Sequence, residues 1–230
     1  MKHRALFVAI AVLLGLLCVR LGFWQLDRRD LRRERNASVA ARAELPVVEL
    51  TTLRGDTAEL RFRRARIEGV ADYEHELVLG SRTRNGSPGV NFLTPVRVPG
   101  RDTAYLVNRG WVYSPDASTP RPGNWREQDT VAFEGYVDIL GSGPAVPPAA
   151  DRPRALPRAT AASARARLPY PIAEVYLVAQ LPADSGRADV PARLTLPPVT
   201  DEGPHLGYAI QWFLFGTIAF AGAGIALKKG

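Results

Sequence analysis

Cysteine is nearly absent: the single Cys18 excludes an intrachain disulfide, a CxxC redox pair and a thiolate zinc site. Histidine is almost as scarce. His3, His75 and His205 are too few and too scattered for an HExxH-type metal centre. The chain carries no GxSxG, no Walker loop and no GxGxxG, so the nucleophile elbow and the common phosphate-cradling turns are excluded. Acidic residues are missing from both ends, since all 23 Asp and Glu lie between Asp27 and Glu202. Charged residues at 23% and AVILMFWYC residues at 46% rule out a wholly disordered chain.

The net charge of +7 suggests nucleic acid until it is located. The stretch from Asp27 to Glu202 holds 25 arginines and no lysine, leaving a net charge of only +2. The remaining positives, Lys2, Arg4, Arg20, Lys228 and Lys229, flank or interrupt two apolar runs. The basic balance is therefore partly a membrane-flank effect, and no nucleic-acid partner is expected.

The first run covers residues 5–26 and is broken only by Arg20. At about 1.5 Å per residue it reaches roughly 33 Å, enough to cross a hydrocarbon core of about 30 Å. Arg20 is placed to snorkel, and Trp24 belongs at the interface. The first apolar stretch, up to Val19, reads Leu17-Cys18-Val19-Arg20 at its close without a small-x-small cleavage site, which favours an uncleaved anchor over a signal peptide. The second run, 206–227, is uncharged and ends at Lys228-Lys229. Pro204 precedes it and can occupy the first turn. Small residues recur four apart, as Ala11 with Gly15, Ala219 with Ala223 and Gly222 with Ala226, which predicts that the two helices pair directly.

Between the spans lie residues 27–204. Leu26–Ala43 has no Gly or Pro and is read as an outward extension of the first helix. Strands are predicted over 61–70, 75–79, 90–98, 103–112, 131–140 and 174–181, with Asn85-Gly86 as a hairpin turn. Pro95 points to an edge or a bulge. Residues 141–171 hold seven prolines among Ala and Arg and read as a loop or linker. The expected fold is two transmembrane helices flanking a mainly-β (α+β) antiparallel domain of five to seven strands. Two spans place both termini on one side. Arginines near the membrane favour a cytoplasmic middle, but long domains translocate largely regardless of charge, so the count does not decide.

One residue type stands out for chemistry. His205 lies at the entrance of the second span, with Tyr208 and Trp212 on the same face at i+3 and i+7. Imidazole is an axial ligand for haem iron, aromatic walls suit a porphyrin, and Arg20 and Arg28 near the same membrane face could pair with propionates. The competing reading makes His205 an interfacial cap and the arginines snorkelling anchors. His75 is read as a surface or turn histidine.

Several segments carry a resemblance. They are Leu21-Gly22-Phe23-Trp24-Gln25 followed by Arg28, then Leu77-Val78-Leu79, Asn85-Gly86 and Leu93-Thr94-Pro95. Leu106 to Val112, which reads LVNRGWV, and Pro204 to Phe213 complete the set. Their order and spacing resemble the surfeit locus protein 1 family, the Shy-type assembly factors of cytochrome c oxidase. Residues 141–171 depart from the family pattern, and so does the absence of an arginine after Gly135. The resemblance implies a non-enzymatic protein of the bacterial inner membrane, with its middle outside the cytoplasm and both termini inside. It implies that haem a is handled for insertion, with the catalytic subunit of cytochrome c oxidase and a haem-a-producing enzyme as partners. It places the family's second-helix histidine, a haem ligand, on His205. A cofactor-free membrane scaffold that stabilises an assembly intermediate is the alternative.

Overall fold

A computed structural model describes residues 2–180, 191–193 and 201–228. Leu181, the end of the last predicted strand, and Lys229 fall outside the described residues. The chain divides into a helical unit, residues 1–40 with 199–230, and a second unit spanning residues 41–198.

In the helical unit, α1 (Lys2–Ala43) runs as one continuous helix, and α4 (His205–Lys228) begins directly after Pro204. Both are long and apolar enough to cross a membrane. The absence of Gly and Pro from 26 to 43 lets α1 continue past its apolar part. The two helices pair, as expected, but through a seam of different spacing. Ala11, Gly15 and Gly22 are buried on α1, and Ala209, Gly216 and Ala223, seven apart, on α4. The Phe213 ring lies over Gly22 and the Phe220 ring over Gly15, so close that a Cβ on either glycine would stand 2.5–2.6 Å from the ring. Ala219, Gly222 and Ala226 are only half-buried or exposed beside this seam.

The second unit is built on eight strands among its described residues: β1 (Val48–Glu49), β2 (Arg64–Ala71), β3 (Leu77–Arg84), β4 (Ser87–Arg97), β5 (Tyr105–Tyr113), β6 (Thr130–Ile139), β7 (Ala155–Leu156) and β8 (Val175–Ala179). Their order is β1-β2-β6-β8-β5-β4-β3-β7, and β2 also pairs with β4. That extra pairing closes β2, β6, β8, β5 and β4 into a ring of five, a barrel with Greek-key connections.

The sheet is mixed, which corrects the antiparallel expectation. Directions around a closed ring of five cannot alternate throughout, so at least one neighbouring pair must be parallel. Here it is β5 with β8, through Val107↔Leu177 and Asn108↔Val178. The two-residue strands β1 and β7 add parallel pairs with β2 and β3. Alternation along β2 buries Ala65, Ile67 and Ala71, which join Val107, Phe133, Val137 and Leu177 in the main core.

Asn85 and Gly86 both take positive φ and close the β3–β4 hairpin, as their sequence predicts. Pro95 is not on an edge strand, because β4 has neighbours on both sides. It falls where β4 leaves β3, paired up to Leu77↔Leu93, and joins β2 at Ala71↔Val96. The β3 ladder has ended there, so the missing N–H costs no ladder bond, and the Pro95 carbonyl accepts from Asp72 N.

Residues 141–171 are packed rather than a plain linker. They contain β7 and α3 (Ala161–Arg165), whose N-cap Thr160 accepts from Ser163 N. Leu156 and Ala164 are fully buried. Arg167 donates to the carbonyls of Ala155, Val146, Ser163 and Pro147, gathering the proline-rich chain around one guanidinium.

Candidate functional site

His205 is the first residue of α4, and its position is set from three directions. Tyr208 N donates to the Pro204 carbonyl, which starts the helix on the proline. Gly203 takes a φ of +75°, and its N–H donates to Asp201. Glu202 receives both Arg29 and Arg33 of α1, at 2.8 and 2.7 Å, tying the entry turn to α1. These two guanidiniums hold the Glu202 carboxyl below the usual carboxylate range.

The imidazole meets α1 directly. His205 Nδ1 lies 2.9 Å from Gln25 Oε1, and Nε2 takes no hydrogen bond among the described residues. An amide oxygen can only accept, so this contact places a proton on Nδ1; in the neutral ring Nε2 then keeps its lone pair. That is the tautomer a metal ligand requires, with its second nitrogen held by an outer partner.

Tyr208 and Trp212 follow along α4, Tyr208 exposed and Trp212 half-buried against the Phe215 edge. Arg20 and Arg28 are exposed on α1 and share no partner with His205. The structure therefore brings His205 together with Gln25, keeps Tyr208 and Trp212 on the same helix, and turns Arg20 and Arg28 to open surface. The seam is filled by Phe213 and Phe220, so there is no space for a porphyrin between the helices at their depth. The donor set fits haem as an axial imidazole of the right tautomer, and the open flank is the Tyr208 side of α4.

Sequence reasoning missed Gln25 as a site residue, although it stands in the first-helix motif. Only the fold shows that residues 180 positions apart share a hydrogen bond.

In the barrel, residues Asn108 to Trp111 acquire a structural explanation. β4 and β5 change register between Phe92↔Gly110 and Leu93↔Asn108, making Arg109 the extra residue of a bulge. Gly110 has a φ of +131°, and a Cβ there would stand 2.6 Å from the Ala192 carbonyl, so glycine is required on both counts. The Asn108 side chain accepts from Gly110 N. Trp111 is only half-buried, with its indole on Gly89 and Nε1 donating to the Arg82 carbonyl.

Arg109 is fully buried. It pairs with Glu76 and, at 2.9 Å, with Glu127, and its Nε donates to Thr94 Oγ1 at 2.6 Å. Arg193 joins from the far end of the unit, 2.6 Å from Glu127, and donates to the Arg109 carbonyl. Two arginines and two glutamates balance. Their guanidiniums stack over Tyr73 and Phe133, which belong to the main core. Removing one partner of such a network typically costs about 3–5 kcal/mol, because the others stay buried and unpaired. A cleft of about 400 Å³ opens beside it, lined by Tyr73, Glu76, Phe92, Trp125 and Arg126 among others.

His75 is a turn histidine, in line with its sequence context. It closes a short 3₁₀ turn, Tyr73–His75, with Nδ1 2.9 Å from Asp72. The following strand starts at Leu77, so Glu76 is not a strand-face residue and is free to turn to Arg109.

Two membrane-length helices on one chain with a small mixed barrel, and a histidine where the second helix begins, are the architecture of a membrane-anchored protein. The model of the SURF1 family matches residues 12–217, and the chain belongs to that family, known in general as cytochrome oxidase assembly factors. It is 28% identical over 127 residues to a SURF1-like protein of Monosiga brevicollis, covering 51% of this chain and 49% of that protein. It is 28% identical over 107 residues to Surfeit locus protein 1 of Gallus gallus, covering 40% of this chain and 35% of that protein. The matched stretch thus spans about half of the first relative's length and about a third of the second's.

Proposed function

We propose that this protein is a non-enzymatic assembly factor that handles haem a for the catalytic subunit of a haem-copper cytochrome c oxidase, taking it from the enzyme that produces it. The observation that carries this reading is the His205–Gln25 hydrogen bond. Among the described residues it leaves Nε2 as the unengaged nitrogen of the imidazole, at the start of a membrane helix. His205 would be the axial ligand, Gln25 would hold its tautomer, and Tyr208 and Trp212 would flank the macrocycle. Bound there, the haem would supply only its own iron chemistry; the protein's part is to hold it and keep it out of water.

In this reading the protein sits in a bacterial inner membrane, with the barrel outside the cytoplasm and both termini inside. Family membership and the two spans support that placement. The direct test is the absorption spectrum of the full chain purified in detergent from haem-a-producing cells. A Soret band that travels with the protein is expected. Protein free of haem under those conditions would favour the scaffold role instead.

A further inference from the structure

Arg20, Trp24 and Arg28 follow one another at i, i+4 and i+8 on α1, so they lie along one face over two turns. All three are exposed. The side of α1 turned to α4 is marked by Ala11, Gly15 and Gly22, and Gln25 and Arg29 continue it. At 3.6 residues per turn, Arg20 and Trp24 stand about 160° around the helix from Gly22, and Arg28 about 120°. Arg20 and Trp24 therefore look away from α4, and Arg28 stands on its open flank.

Neither arginine forms a hydrogen bond or ion pair among the described residues, whereas Arg29 and Arg33 on the other side are held by Glu202. Asp27 is the one acid beside the stripe, leaving it net positive. Arg20 sits six residues inside Leu26, about 9 Å along the axis, so its charge must reach outward to a polar layer. Further in, Leu16 and Leu13 continue the same face and are exposed. From the membrane interior outward, the face runs from leucines to arginine, tryptophan and arginine.

With Arg20 reaching outward past Trp24, the face offers leucines to acyl chains, an indole to the glycerol region and two guanidiniums to a phosphate. A guanidinium forks onto phosphate oxygens bidentately and is weakly hydrated, and an indole prefers the interface. We propose that this face of α1 is a docking surface for an anionic phospholipid, its phosphate held by Arg20 and Arg28 and its glycerol region lying on Trp24. The excess of arginine over acid here selects an anionic headgroup over a zwitterionic one.

The test uses the full chain reconstituted in phosphatidylcholine bilayers with trace spin-labelled phosphatidylglycerol or phosphatidylcholine. The motionally restricted fraction of each label reports which lipid lines the protein. Wild type should prefer phosphatidylglycerol, and each of Arg20→Gln and Arg28→Gln should lower the preference roughly fivefold. Arg101→Gln, in the β4–β5 turn, should leave it unchanged. If the variants fail to insert, salt serves on wild type alone, since raising ionic strength from 0.01 to 1 M shortens the screening length from about 30 to about 3 Å and should cut the preference. A wild type that shows no preference, a preference kept by both Arg20→Gln and Arg28→Gln, or one indifferent to salt would each overturn the proposal.

Discussion

The two nitrogens of His205 are inequivalent because Gln25 Oε1 accepts from Nδ1 while Nε2 has no hydrogen bond among the described residues. Gln25→Leu removes that acceptor without adding charge. Imidazole ¹⁵N shifts of the haem-free protein should move from a fixed Nδ1–H form toward a tautomer mixture. Unchanged shifts would show that another group sets the proton. A second expectation concerns Asp72, whose carboxyl is pushed up by burial but is held below its usual 3.8 by the combined bonds from Tyr170 and from the His75 ring and backbone. With the folded value depressed, its stabilisation is complete above the unfolded value and is lost as pH falls from about 4 through the folded one. Asp72→Asn should flatten the acid limb of the thermal melting profile, and a profile as steep as wild type would refute this assignment. At this scale the sequence exposed His205 through its position at the helix start and flagged Arg109 through its motif. It did not expose Gln25, Glu76 or Glu127, because their partners come from distant parts of the chain.

Among the elements, both long apolar helices, the α1 extension and the six longer strands were legible, since each rests on composition or alternation within a short window. The strands β1 and β7 are two residues long and carry no periodic signal. The parallel β5–β8 pair follows from ring closure, which no local pattern records. The helix seam likewise kept Ala11, Gly15 and Ala223 from the expected spacing but ran on through Gly22, Ala209 and Gly216, because long Phe rings on α4 need glycine opposite them. Residues 141–171 depart from the linker expectation for the same kind of reason: prolines signal irregular backbone, and irregular backbone can still pack when a cation satisfies its carbonyls. Arg167→Ala orphans four such carbonyls. Hydrogen exchange and protease cleavage over 146–156 should rise at least tenfold, matching the loss of more than about 1.4 kcal/mol expected for several hydrogen bonds. Protection equal to wild type would mean the segment is held by its buried Leu156 and Ala164 alone.

For the whole molecule, the helix pair and the barrel are separate compact units carried on one chain. In the proposed function each has its own part. The helix pair would present a histidine at a membrane interface, and the barrel would offer a surface to an assembly partner. That requires the barrel to face away from the cytoplasm. Ser142 is exposed, so a reporter active only outside the cytoplasm can be inserted beside it, and it should be active. Activity from a cytoplasm-only reporter at the same site would reverse the topology. The central claim, that His205 is the haem ligand, is met most directly by titrating haem a into wild type and His205→Ala side by side in detergent. Wild type should show a Soret band and saturable binding. The variant should lose at least a hundredfold in affinity, about 2.7 kcal/mol, with helicity and size unchanged. Wild-type affinity and an unshifted Soret band in His205→Ala would contradict the claim.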